Sequence, residues 1–110
     1  MAKLAQAEVV KRFLQFEEQS YQAMETVGAD TEASLVLAAV VQELYRKAKK
    51  VHPTVTSGDA PTVREAIIEV EQAADSAKVA AEADVRAQQK TRQAVLDAHL
   101  TICRLKAGME

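Results

Sequence analysis

The chain has 110 residues, of which 48% are hydrophobic and 27% are charged, and its formal net charge is −2. This composition is typical of one globular domain, residues 1–110, because a disordered chain would lack the apolar residues that offset chain entropy. The slight negative charge provides no general attraction to nucleic acid, and the longest apolar run, residues 35–41, is too short to span a membrane.

The cysteine content and the N-terminal residues bear on the cellular compartment. The single cysteine, Cys103, cannot form an internal disulfide. The first residues lack the charged segment and uninterrupted apolar run of a signal peptide. We therefore expect a cytoplasmic protein without a membrane span.

Glycine and proline divide the chain into three helical windows. The first two are predicted as helices of about residues 5–26 and 31–51, which form a hairpin. The second of them ends at His52-Pro53. A loop over 53–61 follows, and Thr62 to Glu65 has the form of a capping box that opens a third helix over about 62–107. No internal repeat is apparent in the sequence. The predicted fold class is all-α, with the hairpin packed on a long C-terminal helix.

The length of this third helix leaves two architectures open. A continuous helix of 62–107 would be about 69 Å long, roughly twice the length of the hairpin. Its distal apolar face would then need a partner, which favours a dimeric helical bundle. The expected interface residues are Val95, Leu96, Leu100, Ile102, Cys103 and Leu105. Alternatively, the helix breaks near 83–89 and one chain forms a four-helix bundle. Because no glycine or proline marks a break there, the sequence favours the continuous helix.

His99 and Cys103 are the first candidates for chemistry. They are four residues apart and therefore lie on one helix face, which is the spacing of half a metal site. A third ligand would have to come from Asp97, from His52 or from a second subunit. The structural alternative, which the sequence favours, is a buried small thiol beside a hydrogen-bonded histidine. No cofactor is therefore expected.

Arg92 and His99 form a second candidate pair, seven positions apart on one helix face. This pair resembles the catalytic arginine and histidine of helical HEPN-type ribonucleases. The resemblance covers these two residues and implies that His99 acts as a general acid or base while Arg92 contacts a phosphate. The structural alternative is that Arg92 is a solvated residue in a polar stretch.

A basic cluster near the end of the second helix is the third candidate. Beside Tyr45 and His52 it contains Arg46, Lys47, Lys49 and Lys50. Such a cluster can contact phosphates, and a neighbouring aromatic ring can stack on a base. Positive charge also collects at helix C-termini because it interacts favourably with the helix dipole, and this interpretation is favoured.

The sequence contains no glycine-rich phosphate loop, no CxxC pair and no HExxH motif. We therefore expect a protein that is not an enzyme: a helical assembly or adaptor module that forms a homodimer and binds another protein. A nucleic-acid-directed helical protein is the alternative, either a ribonuclease using Arg92 and His99 or a binder using residues 46–50.

Overall fold

The computed structural model describes residues 3–110, and four α-helices account for most of them. They are α1 (Gln6–Ala29), α2 (Leu35–Ser57), α3 (Ala60–Ala83) and α4 (Gln89–Gly108). Each helix packs against the next in sequence, and α4 packs against α1, which closes the bundle. The all-α prediction is confirmed, in the form of the single-chain four-helix bundle.

The hydrophobic core lies along the axis of the bundle. Buried residues recur at alternating spacings of three and four in every helix, so that each helix presents one stripe to the centre. The largest fully buried side chains are Phe13, Phe16, Leu37, Leu44, Ile67, Ile102 and Leu105. Residues of α3 nearest the axis include Ala74, Ala77 and Ala81, whose small side chains allow its neighbours to approach closely.

The continuous helix predicted over 62–107 is wrong, because the chain turns at residues 84–88. Oδ1 of Asp84 accepts hydrogen bonds from the backbone N–H groups of Arg86 and Ala87, each at 3.2 Å. An aspartate that binds its own following backbone in this way competes with helix formation and starts a turn. The break therefore requires neither glycine nor proline.

The loop predicted over 53–61 is reduced to Gly58 and Asp59. Helix α2 continues through Pro53 to Ser57, because Val51 and Val55 on either side of the proline are buried in the core. Asp59 caps α3 by accepting from the Thr62 N–H at 2.9 Å, in place of the predicted capping box. A Cβ atom at Gly58 would lie 2.5 Å from the Thr54 carbonyl oxygen, so this tight connection needs glycine.

The two hairpins, α1–α2 and α3–α4, form an internal repeat that we did not expect from the sequence. Oδ2 of Asp30, after α1, accepts from the backbone N–H of Gln88 at 2.8 Å. Oδ2 of Asp84, after α3, accepts from the backbone N–H of Ser34 at 2.7 Å. The offset is the same, 54 residues, for both pairs (84 minus 30, and 88 minus 34). Each loop thus holds the start of the other hairpin's second helix.

Polar side-chain contacts within the hairpins follow the same offset. Glu17 and His52 join α1 to α2 at 3.0 Å, and Glu71 and Lys106 join α3 to α4 at 2.9 Å. The contacts of one hairpin therefore recur in the other, as expected for two copies related by an approximate two-fold axis along the bundle.

Candidate functional site

The side chains with the best potential for chemistry meet on the face between α3 and α4. Sγ of Cys103 lies 3.4 Å from Nε2 of His99, and the same nitrogen lies 2.7 Å from Oδ1 of Asp75 on α3. One ligand atom from each of these residues lies within 4.8 Å of the other two. The pair predicted from the sequence thus gains a carboxylate from the neighbouring helix.

The third ligands considered from the sequence are engaged elsewhere. Asp97 accepts a hydrogen bond from Gln93 of its own helix at 2.8 Å. His52 is paired with Glu17 between α1 and α2. Asp75 was missed because its position opposite His99 depends on the turn between α3 and α4, and the sequence favoured a continuous helix over the alternative break near 83–89.

Glu71 and Lys106 extend the cluster by one helical turn. Oε1 of Glu71 accepts from Nζ of Lys106 at 2.9 Å, and this hydrogen bond is the main reason that the pKa of Lys106 is raised. Burial, together with the negative charges of Glu71 and Asp75, raises the pKa of the Cys103 thiol to about 11. Without a bound cation, Cys103 is therefore protonated at neutral pH and is a poor nucleophile.

The structure places Arg92 and His99 in separate contacts. Nε of Arg92 donates to the backbone carbonyl of Ala81 at 3.1 Å, which satisfies a carbonyl in the last turn of α3. His99 contacts Asp75, and seven residues of helix separate it from Arg92, about 10 Å along the axis. The ribonuclease hypothesis remains a prediction from the sequence.

Two of the four basic residues at 46–50 are paired with carboxylates. Arg46 binds Glu43 on α2, and Lys50 lies 3.2 Å from Glu69 on α3. The hydrogen bond from Arg46 also lowers the pKa of Glu43. Lys49 is exposed and Lys47 is partly buried. Neighbouring acidic groups thus offset part of the positive charge on which a phosphate contact would depend.

Half of the interface predicted on the C-terminal helix lies in the core. Val95, Ile102 and Leu105 are fully buried because α4 folds back against α1 and α3. Leu96 and Cys103 are partly buried, and Leu100 is the one residue of the six that is exposed, with 46% of its surface accessible. The expectation that these six residues form one exposed face is therefore wrong.

A different apolar surface is exposed at the end of the bundle that carries the α1–α2 and α3–α4 loops. We call it the loop-end patch, and it consists of Leu35 (89% exposed), Val36 (67%) and Val85 (83%). The hydrogen bond between Asp84 and the backbone of Ser34 brings the chain segments of Leu35 and Val85 together. Leu35 and Val36 are the first two residues of α2. Their position before its first buried residue, Leu37, could have revealed their exposure.

Comparisons of the chain with protein-family models, with curated proteins and with solved structures found no significant match. Within residues 3–110, no helix combines the length and the hydrophobicity that crossing a membrane requires.

Proposed function

We propose that the chain is a non-catalytic assembly module that forms a homodimer through the loop-end patch. The observation that carries this proposal is the exposure of Leu35 and Val85, each more than four-fifths accessible, at adjoining positions. Contiguous apolar side chains on the surface of a folded domain usually mark a site of protein association. The hydrophobic core is buried within one chain, so the proposed dimer does not have to complete it.

The charges around the patch favour a second copy as the partner. Glu32 and Arg86 are exposed and occupy equivalent positions in the two loops, again 54 residues apart (86 minus 32). If two bundles meet end to end about a two-fold axis, Glu32 of one copy can face Arg86 of the other. Such self-complementary charge guides the orientation of an isologous dimer.

The expected dimer is weak and depends on concentration. Burial of one leucine or valine side chain contributes about 1.5–3 kcal/mol, so six side chains from two copies contribute on the order of 10 kcal/mol. Association itself costs about 4–15 kcal/mol in lost translational and rotational freedom. The balance predicts dissociation in the micromolar range or above.

The test is light scattering over a dilution series, with the variant Leu35→Asp. Residue 35 is the first residue of α2, where a negative charge interacts favourably with the helix dipole, so the substitution should leave folding intact. We expect the wild type to approach twice the chain mass of 12.0 kDa at high concentration, and Leu35→Asp to remain monomeric.

The matched control is Leu100→Asp, which changes an exposed leucine on the outer side of α4, away from the loop-end patch. It should dimerise like the wild type. A wild type that stays monomeric at several hundred micromolar, or a Leu35→Asp variant that dimerises normally, would overturn the proposal.

A further inference from the structure

We infer that Asp75, His99 and Cys103 form a binding site for a divalent transition metal ion of the zinc type, with Glu71 one helical turn away. The four residues are two pairs, each with a spacing of four, on the antiparallel helices α3 and α4. Residues four apart lie on one helix face. Because the helices run in opposite directions, Asp75 comes opposite His99, and Glu71 lies one turn along α3, where it pairs with Lys106.

The distance between the sulfur of Cys103 and the nitrogen of His99 suits a shared cation, and the distance from His99 to Asp75 has to lengthen. In tetrahedral zinc coordination, a thiolate sulfur and an imidazole nitrogen lie about 3.6 Å apart, and an imidazole nitrogen and a carboxylate oxygen about 3.4 Å apart. The observed distance from Sγ of Cys103 to Nε2 of His99 is 3.4 Å. Oδ1 of Asp75 is 2.7 Å from Nε2, and its side chain, 58% exposed, is free to rotate outward and admit the ion.

The donor atoms select the class of metal. Sulfur, nitrogen and oxygen together match the preferences of Zn²⁺, whereas Mg²⁺ and Ca²⁺ prefer oxygen ligands alone. The thiolate of Cys103 and the carboxylate of Asp75 carry two negative charges, which balance the two positive charges of the ion. Lys106, which donates to Glu71 at 2.9 Å, offsets the negative charge of that neighbouring carboxylate.

The other hairpin supplies an internal comparison. With the 54-residue offset, Asp75 and His99 correspond to Tyr21 and Tyr45, whose ring centroids lie 5.6 Å apart between α1 and α2. Cys103 corresponds to the exposed Lys49. The bundle thus packs the equivalent position without any sulfur or imidazole ligand, so packing alone does not account for the ligand set between α3 and α4.

The inference is tested with the full chain, freed of any purification tag and stripped of metal with a chelator. Titration with Zn²⁺ against a chromogenic chelator should give one bound ion per chain, with release of protons as Cys103 binds as a thiolate. At a hundred-fold excess over Kd, Zn²⁺ should raise Tm by about 10 °C. Co²⁺ should produce a thiolate-to-metal charge-transfer absorption, whereas Mg²⁺ should have no effect.

Two variants and one control make the result specific. Cys103→Ser is close to isosteric and should remove the cobalt charge-transfer band, and His99→Ala should weaken Zn²⁺ binding at least a hundred-fold. The control is His52→Ala, which removes the other histidine of the chain. It should bind one Zn²⁺ as tightly as the wild type. If the wild type binds Zn²⁺ no more tightly than His99→Ala, or if cobalt binding shows no sulfur contribution, the inference is wrong.

Discussion

At the scale of single residues, two aspartates determine how the hairpins fit together. The side chain of Asp30 is buried and accepts from the Thr91 hydroxyl at 2.7 Å as well as from the Gln88 backbone. The hydrogen bond from Thr91 is the main reason that the pKa of Asp30 is lowered. The pKa of Asp84 is lowered mainly by the backbone N–H of Ser34. Both carboxylates therefore stabilise the fold in their ionised form.

This lowering of the pKa sets the direction of the pH dependence. A carboxyl group whose pKa is lower in the folded than in the unfolded chain contributes its full stability above its ordinary pKa, which is about 4 for aspartate. The contribution is lost as the pH falls towards the folded pKa. We expect the urea midpoint to stay constant from about pH 5 to neutrality and to fall below pH 4.

Replacing the carboxylate of Asp30 by an amide measures how much its charge contributes to stability. The Asp30→Asn variant should be less stable than the wild type at pH 7, and the difference in urea midpoint should shrink at pH 3. The control is Asp97→Asn, an exposed residue that accepts from Gln93 on its own helix. It should follow the wild type at both pH values. A constant difference between Asp30→Asn and the wild type from pH 7 to pH 3 would contradict the assigned role of the charge.

At the scale of the helix, α4 carries the clearest consequence of the turn at residues 84–88. Ile102 is fully buried, whereas Leu100, two residues earlier, is 46% exposed. Ile102→Ala should cost about 2–5 kcal/mol of unfolding free energy, because it leaves a cavity in a packed core. Leu100→Ala should change it by less than about 0.5 kcal/mol. Urea unfolding followed by circular dichroism measures both. Equal effects at the two positions would mean that α4 does not fold back into the core.

The helices themselves were largely predictable, since apolar periodicity and good helix formers determine where each runs. The turn at 84–88 was predicted only as the alternative break near 83–89, because its local signal is a single aspartate, Asp84. That side chain binds the backbone of Arg86 and Ala87 and is also held by the backbone of Ser34, 50 residues away. The repeat was hidden for a related reason: equivalent core positions hold different apolar residues, such as Phe13 and Ile67. The positions of the buried residues therefore recur in the second hairpin, whereas the residue types at those positions differ.

The candidate site divides in the same way. The spacing of His99 and Cys103 is local to one helix and could be identified from the sequence. Asp75 and Glu71 belong to another helix, and their place opposite this pair depends on the register that the turn establishes. The loop-end patch was missed because periodicity marks apolar residues as buried, while the exposed ones lie before the stripe of α2 begins.

At the scale of the whole molecule, the arrangement of two equivalent hairpins places Leu4, before α1, beside Gly108 at the end of α4. The backbone N–H of Leu4 donates to the carbonyl of Gly108 at 3.0 Å. With the 54-residue offset, this position corresponds to the connection between α2 and α3, where the Gly58 N–H donates to Thr54 at 2.7 Å. The contact between Leu4 and Gly108 is therefore the counterpart of the short connection between α2 and α3.

This equivalence predicts that the connection can be moved. A circular permutant that begins at Asp59, ends at Gly58 and joins Glu110 to Met1 by a short glycine-serine linker should fold to the same bundle, because every helix and core contact is retained. Its helical circular dichroism should match that of the wild type, and its unfolding should remain cooperative. A permutant opened beside the buried Leu44 divides α2 and should lose cooperative unfolding. If both permutants lose cooperative unfolding, the connection between α2 and α3 is itself required for the fold, and the prediction is wrong.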